Sequence, residues 1–181
     1  MKKVSWALAL LWGLCGSAQA NPSASGFWQH QIETRVFIES STTNIWAVLL
    51  NFDRHPDWNP FIRQIEGKAV AGEHLRVRVQ PVGASEMAFE PLVMVAKPHQ
   101  ELRWKGKFLI PGLFDGEHYF QLLQDGDRGV TLVHGERFSG LLVPLFRAHL
   151  NATTRPGFDA MNQALRREVL RHTDEAAPKS Q

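Results

Sequence analysis

Alternation of apolar and polar residues, the pattern of β-strands, dominates the chain from residue 28 to residue 138. It predicts seven strands, at residues 28–39, 62–70, 74–80, 87–95, 101–110, 118–123 and 130–138. The run 87–95 is apolar on both faces, so we expect that strand to be covered on both sides. The turn Asp125-Gly126-Asp127-Arg128-Gly129 is typical of a hairpin between the last two strands.

Helical periodicity occurs on either side of this strand-rich region. After the first strand, the run 40–42 offers capping hydroxyls, and one helical face then carries Ile45, Val48, Leu49 and Phe52. Pro56 and Pro60 exclude a long helix there. Residues 143–172 predict a long helix with Phe158, Met161, Leu165 and Val169 on one face, and we expect Pro156 to kink or restart it. The order of strand, two short helices, antiparallel strands and long helix predicts an α+β fold.

The first twenty residues have the composition of a secretory signal peptide. Lys2 and Lys3 precede an apolar run at 4–14, and Ala-Gln-Ala at 18–20 is a small-residue cleavage site. An uncleaved membrane anchor is the alternative, but the apolar run is short for a bilayer and no stop-transfer charges follow it. The sequence therefore predicts cleavage near Ala20 and a periplasmic or secreted protein.

Cleavage changes what the composition implies. Removing 20 of the 181 residues leaves 161, enough for one domain with a core. Without Lys2 and Lys3 the 20 Lys+Arg become 18, equal to the 18 Asp+Glu, so no excess of positive charge argues for nucleic acid. The one cysteine, Cys15, is removed as well, which excludes disulfides and thiol chemistry from the mature protein. We expect one domain at 27–172 and a flexible tail at 173–181.

The chain resembles the START-related superfamily known as SRPBCC, in its polyketide cyclase/dehydrase-like branch. The resemblance extends over about residues 30–170 and rests on the order and spacing of several segments, among them Trp58-Asn59-Pro60-Phe61, Gly116-Glu117-His118-Tyr119-Phe120, His134-Gly135-Glu136 and Gly157-Phe158-Asp159-Ala160-Met161. It implies a helix-grip fold, in which a curved antiparallel sheet of about seven strands surrounds a long C-terminal helix. It also implies a deep pocket for lipids, sterols, polyketides or other apolar molecules. The superfamily includes carriers, enzymes and regulatory binders, so the fold does not determine the function.

Aromatic residues supply the lining that such a pocket needs. Trp58, Pro60 and Phe61 would lie at its mouth, although the same residues could cap a core beneath a proline-fixed turn. The predicted wall, which could equally form a closed core, consists of Trp104, Phe120, Phe138, Phe158 and Met161. We expect Trp104 to face Phe158 and Met161 across the interior.

Two histidines and a carboxylate are predicted to point into the same interior. Side chains alternate across a strand, so His118 shares a face with Phe120, and His134 and Glu136 share a face with Phe138. Because both faces must point to the core, a hairpin loop of three or five residues places His118 opposite Glu136. The same register places Phe120 opposite His134.

The pair of His118 and Glu136 admits several interpretations. A buried unpaired polar group costs about 1–3 kcal/mol, so the two residues could simply satisfy each other. They could anchor the polar group of an apolar ligand, or act as an acid and a base. With His134 they also match a metal set of two histidines and one carboxylate, but no spacing motif accompanies them and we predict no metal.

The leading hypothesis is an exported, monomeric binding protein that holds a hydrophobic small molecule or lipid, without a cofactor and with at most transient membrane contact. The alternative is a polyketide cyclase/dehydratase-like enzyme in which Glu136 and His118 form the acid–base pair. A module that binds a protein partner is a third possibility that no sequence feature favours. Phosphate-binding loops, dinucleotide fingerprints, zinc patterns and serine-hydrolase motifs do not occur in the sequence.

Overall fold

A computed structural model of the protein describes residues 26–107 and 110–176. In this part of the chain the strands are β1 Gln29–Ile38, β2 Ile62–Glu66, β3 Arg76–Val79, β4 Met87–Phe89, β5 Leu92–Lys97, β6 Glu101–Lys107, β7 Asp115–Asp125 and β8 Gly129–Ser139. The helices are α1 Thr42–Leu50, α2 His55–Trp58 and α3 Val143–Ala176, and a 3-10 turn at Phe52–Arg54 joins α1 to α2. The predicted α+β order with two short helices after the first strand is confirmed.

The strands form two antiparallel sheets. The larger has the order β1-β8-β7-β6-β5, and the smaller has the order β2-β3-β4. Helix α3 packs along β1 and β8, and α1 packs against α3. The curved sheet around the long helix gives the expected helix-grip arrangement, with the core between them.

Alternation on the strands and periodicity on α3 explain why these surfaces meet. On β1, every second residue from Ile32 to Ile38 is buried. The predicted apolar face of α3 is fully buried, with Phe158, Met161, Leu165 and Val169 all at 0% exposure. Helix α1 begins where Ser41 accepts a hydrogen bond from the backbone N–H of Asn44, so the predicted capping hydroxyl is confirmed.

The single strand predicted at residues 87–95 is wrong. The run divides into β4 and β5, which belong to different sheets. Pro91 lies between them, and proline has no backbone N–H to donate to a continuous ladder. Met87 and Met94 are about half exposed, at 54% and 48%, so the run is not covered on both faces.

Several predicted boundaries also move. Strand β2 ends at Glu66 because the chain turns at Gly67, whose φ of 112° suits glycine. Strand β6 is described to Lys107, Phe108 and Leu109 lie outside the described residues, and Ile110, predicted as the last residue of this strand, is exposed and outside it. Helix α3 continues through Pro156 and past the predicted start of the tail at residue 173 to Ala176. The signal peptide predicted at 1–20 and the tail residues 177–181 lie outside the described residues.

No helix in the described ranges 26–107 and 110–176 is long and apolar enough to cross a membrane.

Candidate ligand-binding site

The hairpin of β7 and β8 has the register that the sequence predicts. His118 lies opposite Glu136, and Phe120 lies opposite His134. Asp125 pairs with Gly129, which leaves a loop of three residues between the strands. The two imidazoles and the carboxylate therefore lie on the inner face of the sheet, towards α3.

His134 is held by a closed ring of buried hydrogen bonds. Its Nδ1 lies 2.8 Å from Oδ1 of Asn162 on α3, and Nδ2 of Asn162 donates to Oγ1 of Thr34 on β1 at 2.8 Å. The Thr34 hydroxyl in turn donates to the backbone carbonyl of His134 at 3.4 Å. All three residues are at most 7% exposed. Strand β1, strand β8 and helix α3 are thus joined by polar contacts inside an apolar core.

This ring determines which nitrogens carry hydrogen. Because the Thr34 hydroxyl donates to a carbonyl, its oxygen accepts from the Asn162 amide nitrogen, and Oδ1 of Asn162 accepts from Nδ1–H of His134. The neutral imidazole of His134 then presents Nε2 as an acceptor. Nε2 of His118 lies 3.1 Å away and must be the donor. His118 consequently presents Nδ1 as a lone pair.

The free Nδ1 of His118 points to the carboxyl group of Glu136. It lies 3.6 Å from Oε2, in contact but too far for a hydrogen bond. The other carboxyl oxygen lies over Gly116, where a Cβ would collide with it, so glycine provides the space for this side chain. The Glu136 side chain keeps 19% of its surface exposed, against 7% for His118, and forms the outer end of the polar chain.

Burial keeps all three titratable groups uncharged near neutral pH. Loss of hydration raises the pKa of the Glu136 carboxyl to about 8 and lowers the pKa of His118 to about 3. Burial, reinforced by the neighbouring His118 and opposed by Asn162, also lowers the pKa of His134 well below its ordinary value. A protonated carboxyl group therefore lies beside an unprotonated imidazole nitrogen, and neither is hydrogen bonded to the other.

Aromatic rings surround the two imidazoles. The indole of Trp104 stacks on His118 with the centroids 4.9 Å apart and the planes 3° from parallel. Phe158 stacks on His134 at 3.9 Å and meets His118 edge-on at 5.2 Å. Phe120 contacts both imidazoles. His118 thus lies between Trp104 and Phe158, which the sequence had predicted to face each other directly.

Trp104 also carries a polar atom without a partner. Its Nε1–H is buried and has no hydrogen-bond acceptor among the described residues. The residue is 1% exposed, so water does not replace the missing acceptor at the surface. An unpaired donor of this kind is costly in a closed core and is accounted for where a ligand supplies the acceptor.

The structure brings together only part of the predicted site. Phe138 and Met161 are buried with the other predicted wall residues. The three residues predicted at the pocket mouth are separated. Phe61 is 4% exposed and packs edge-on against Phe158 at 5.2 Å, Pro60 faces solvent, and Trp58 is half-buried beside the C-terminal half of α3.

The turn that contains these three residues is held by its own buried hydrogen bonds. Oδ1 of Asn59 accepts from the backbone N–H groups of Phe61 and Ile62 at 3.0 and 2.9 Å. Nε2 of His55 lies 2.9 Å from the carbonyl oxygen of Leu49, and His55 is 1% exposed. His55 is therefore a buried support of the turn.

A groove of about 490 Å³ lies elsewhere, between the short helices and the C-terminal half of α3. Trp58, Val48 and Val169 contribute its apolar surface, and Arg54 and Glu168 its charged rim. Both charged residues already have partners: Arg54 lies 3.0 Å from Asp57, and Glu168 lies 2.7 Å from Arg171. The groove does not include His118 or His134, so the two features are separate.

The histidines and the carboxylate are not arranged as metal ligands. The Nε2 atoms of His118 and His134 face each other at hydrogen-bond distance, and Glu136 approaches the opposite nitrogen of His118. The three groups therefore do not converge on one point. Within residues 26–107 and 110–176, no group of three or more His, Cys, Asp or Glu residues could hold a metal ion.

Sequence reasoning missed Asn162, Thr34 and Gly116. Asn162 follows Phe158 by four residues and so interrupts the apolar face of α3. Thr34 is likewise a polar residue among the apolar residues of the buried face of β1. A polar residue on an otherwise buried face is the available signal, since such groups need buried partners. Gly116 gives no comparable signal, because its role depends on where the Glu136 side chain lies.

Comparison with known proteins assigns the family. The profile described as polyketide cyclase/dehydrase and lipid transport matches residues 29–170, most of the chain. The chain belongs to this family. The resemblance to the polyketide cyclase/dehydrase-like branch of SRPBCC is confirmed. Membership of this family supports a ligand-binding fold. No curated protein sequence matches this family member.

Solved structures agree in fold. The Zhui aromatase/cyclase from Streptomyces sp. R1128 is 17% identical with a TM-score of 0.65, over 80% of this chain and 96% of that one. A point mutant of norcoclaurine synthase from Thalictrum flavum, in complex with a transition-state analogue, is 16% identical with a TM-score of 0.61, over 80% and 96%. The di-domain ARO/CYC StfQ from the steffimycin pathway is 11% identical with a TM-score of 0.63, over 83% and 53%. At such identities the likeness concerns the fold alone.

Proposed function

We propose that this family member is a binding protein for an apolar small molecule that carries a hydroxyl group, and that the hydroxyl binds between Glu136 and His118. The observation that carries the proposal is the gap of 3.6 Å between a protonated carboxyl group and an unprotonated imidazole nitrogen. A hydroxyl both donates and accepts, so it satisfies both groups at once. Glu136 donates to its oxygen, and His118 Nδ1 accepts its hydrogen.

The apolar surroundings favour an apolar ligand that carries this hydroxyl. Trp104, Phe120 and Phe158 surround the imidazoles, and apolar contact supplies most of the affinity in such sites. Neither polar group is charged near neutral pH, so the site favours an uncharged ligand over an anion. The unpaired Nε1–H of Trp104 offers a donor for a second oxygen of the ligand.

The test is a matched pair of ligands, 2-naphthol and 2-methylnaphthalene, titrated by equilibrium dialysis at pH 6.5. They differ in the hydroxyl, and we expect 2-naphthol to bind about tenfold more tightly, which is the effect of one net hydrogen bond. Glu136→Leu removes the donor, leaves only the acceptor on His118, and should clearly reduce this preference.

The matched control is Glu117→Leu. Glu117 lies next to His118 on β7, points to the other face of the sheet and pairs with Arg103. It should leave the preference unchanged, and thermal unfolding of each variant verifies that it is folded. Equal affinity for the two naphthalenes in the wild type, or an equal preference in Glu136→Leu, contradicts the proposal. Failure of both probes to bind also counts against it.

A cyclase- or dehydratase-like enzyme is the second candidate. The same pair favours it, because a carboxyl group with a pKa of about 8 is suited to act as a general acid, and neutral His118 as a base. Glu136→Gln and His118→Phe should then each lower turnover of a linear poly-β-ketone thioester by about 10²-fold or more. Unchanged turnover in both variants rules the enzyme out.

We also propose that the protein is exported. Support comes from the charged start, the apolar run and the Ala-Gln-Ala site in residues 1–20. An exported carrier of apolar cargo shields it from water, which is worth about 25 cal/mol per Å² of apolar surface. Native mass spectrometry of protein from its own periplasm measures cleavage, ligand and monomer state together. Absence of the protein from the periplasmic fraction contradicts export, and protein that begins at Met1 contradicts cleavage. A clean ligand-free mass that gains nothing from added lipids or aromatics contradicts a carrier.

A further inference from the structure

Exposed apolar side chains concentrate at one end of the molecule. Eleven large apolar residues are exposed in the described ranges, and six of them belong to three segments: the start of β1, the loop before β7 and the connection from β8 into α3. These six, which we call the apolar end, are Phe27, Trp28, Ile110, Leu141, Leu145 and Phe146. Large contiguous apolar surfaces on a soluble protein mark interaction sites.

Backbone hydrogen bonds hold the three segments together. Gly140 donates to the carbonyl of Trp28 at 3.0 Å, and Leu141 donates to the carbonyl of Gly112 at 3.2 Å. The rings of Phe27 and Trp28 pack edge to face with their centroids 4.6 Å apart. The three segments that carry the six side chains are therefore fixed next to one another.

The charges around the apolar end are predominantly positive. In residues 26–30, 105–116 and 139–149 the formal charges are Lys105, Lys107 and Arg147 against Asp115. Lys105 lies 3.8 Å from Asp115. The guanidinium of Arg147 donates to backbone carbonyls, including that of Phe27, so its charge is not neutralised by these contacts. Lys107 lies opposite the same Asp115 in the pairing of β6 and β7, so three cations share one carboxylate and this edge keeps a net positive charge.

A series of aromatic rings leads from the apolar end to the candidate site. Phe146 contacts Phe114 with centroids 5.9 Å apart, and Phe114 contacts Phe138 at 5.6 Å. Phe138 follows Glu136 by two residues on the same face of β8. The apolar end is therefore adjacent to the partly exposed end of the polar chain.

We propose that the apolar end docks on an anionic lipid bilayer, so that the apolar ligand passes between the bilayer and the site at Glu136. Aromatic and leucine side chains bury in the interface of a bilayer, and basic residues at the edge are attracted to anionic headgroups. A bilayer fits better than a second copy of the chain. A two-fold dimer through this surface would set an edge of net positive charge against itself, without any added anion to compensate. The transfer role rests on the proposed function, whereas the docking itself does not.

The test is co-sedimentation of the full chain with phosphatidylglycerol vesicles and with phosphatidylcholine vesicles, in the absence of any ligand. The decisive variant is Leu145→Asp. Leu145 is 76% exposed and lies in the first turn of α3, where a negative charge is favourable to the helix. The matched control is Met94→Asp, which places the same charge at an exposed methionine on β5.

We expect the wild type to bind phosphatidylglycerol vesicles more tightly than phosphatidylcholine vesicles. Leu145→Asp should weaken binding to phosphatidylglycerol by at least about tenfold, and Met94→Asp by less than about twofold. Lys107→Glu should reduce the preference for the anionic lipid.

Three results overturn the proposal. The first is an equal effect of Leu145→Asp and Met94→Asp. The second is binding that disappears with Leu10→Asp but not with Leu145→Asp, which assigns the affinity to the apolar run at 4–14. The third is a dimer in lipid-free sedimentation velocity that Leu145→Asp dissociates, which assigns the surface to a second copy. The naphthol titration contains no vesicles, so failure of docking and failure of the proposed function are measured separately.

Discussion

The imidazoles of His118 and His134 meet nitrogen to nitrogen, with their Nε2 atoms 3.1 Å apart. Two lone pairs or two N–H groups would repel at that distance, so one nitrogen donates and the other accepts. Asn162 determines which, because its amide oxygen accepts from Nδ1–H of His134. A residue on α3 thereby sets the nitrogen that His118 presents to Glu136.

The first prediction concerns this control by Asn162. Asn162→Ala leaves the buried Nδ1–H of His134 without an acceptor and removes the amide that donates to Thr34, and we expect it to lower the free energy of unfolding by about 1–3 kcal/mol. It should also change the ¹⁵N chemical shifts of the His134 ring, since the preference for hydrogen on Nδ1 is lost.

The matched control is Asn151→Ala on the same helix. Asn151 is exposed and meets His30 at the surface, so its loss should change the free energy of unfolding by about 0.5 kcal/mol or less. Similar effects of the two substitutions, or unchanged ring shifts in Asn162→Ala, would show that Asn162 does not fix the tautomer.

The second prediction concerns the pH dependence of stability. The pKa of Glu136 is about 8 in the folded protein against an ordinary 4.5, so between these values the folded state keeps a proton that the unfolded state releases. Stability is therefore lost as the pH rises through this window, by up to about 1.4 kcal/mol per pH unit. Glu136→Gln has no such proton. Urea unfolding should show Glu136→Gln gaining about 1–2 kcal/mol on the wild type between pH 6 and pH 8.

In both the wild type and Glu136→Gln, the buried histidines change stability with pH in the direction opposite to Glu136. Burial lowers the pKa of His118 to about 3 and also lowers those of His134 and His55, so their contribution is lost as the pH falls below about 6.5. The difference between wild type and Glu136→Gln isolates the carboxyl group from these terms. Parallel stability curves from pH 6 to pH 8 would refute the raised pKa.

The third prediction uses Gly116 to move the carboxyl group without removing it. Gly116→Ala introduces a methyl group where Oε1 of Glu136 lies, and the flexible end of the glutamate can rotate away towards solvent. We expect the pKa of Glu136 to fall towards its ordinary value because the carboxyl group regains hydration. Titration of the ¹³C-labelled Glu136 carboxyl by NMR measures it.

Gly106→Ala is the control for that substitution. Gly106 lies opposite Gly116 on β6, and its added methyl group would meet the ring of Phe89 at 3.3 Å and not the carboxyl group. The pKa of Glu136 should stay near 8 in this variant. An unchanged pKa in Gly116→Ala would mean that hydration of the carboxyl group does not depend on the space above Gly116.

The sequence predicts the register of the β7–β8 hairpin but does not predict which residues the hairpin contacts. Alternation and the parity of a short loop place His118 opposite Glu136, since a shift by one residue would turn every inner side chain outward. The ring through Thr34 and Asn162 joins residues 128 positions apart. Periodicity identifies each of them as a polar residue on a buried face but does not pair them.

At residues 87–95 the sequence pattern predicted a single strand where the structure has two. Apolar composition on both faces favoured one covered strand, whereas Pro91 interrupts the ladder and the two halves join different sheets. The residues predicted at the pocket mouth have different surroundings for a local reason. Proximity in sequence grouped Trp58 with Phe61, but the turn fixed by Asn59 directs them to different surroundings.

The fourth prediction concerns the contact between the turn and α3. Glycine inside a helix is ordinarily about 1 kcal/mol less favourable than alanine, so Gly157→Ala would be expected to stabilise α3. Here the added methyl group would collide with the ring of Phe61, which is 4% exposed and held edge-on by Phe158. Because the buried ring cannot move away freely, we expect a net loss of about 1–3 kcal/mol in the free energy of unfolding.

Two further variants separate this collision from other causes. Asp159→Ala changes an exposed position in the same turn of α3 and should be neutral or slightly stabilising, since alanine favours helix. Phe61→Leu removes the ring edge, so Gly157→Ala should cost clearly less in the Phe61→Leu background than in the wild type. Chemical unfolding of the wild type, the two single variants and the double variant gives the coupling between the two positions. Additive effects would show that Phe61 does not limit the side chain at residue 157, and the close packing of the turn on α3 would then be wrong.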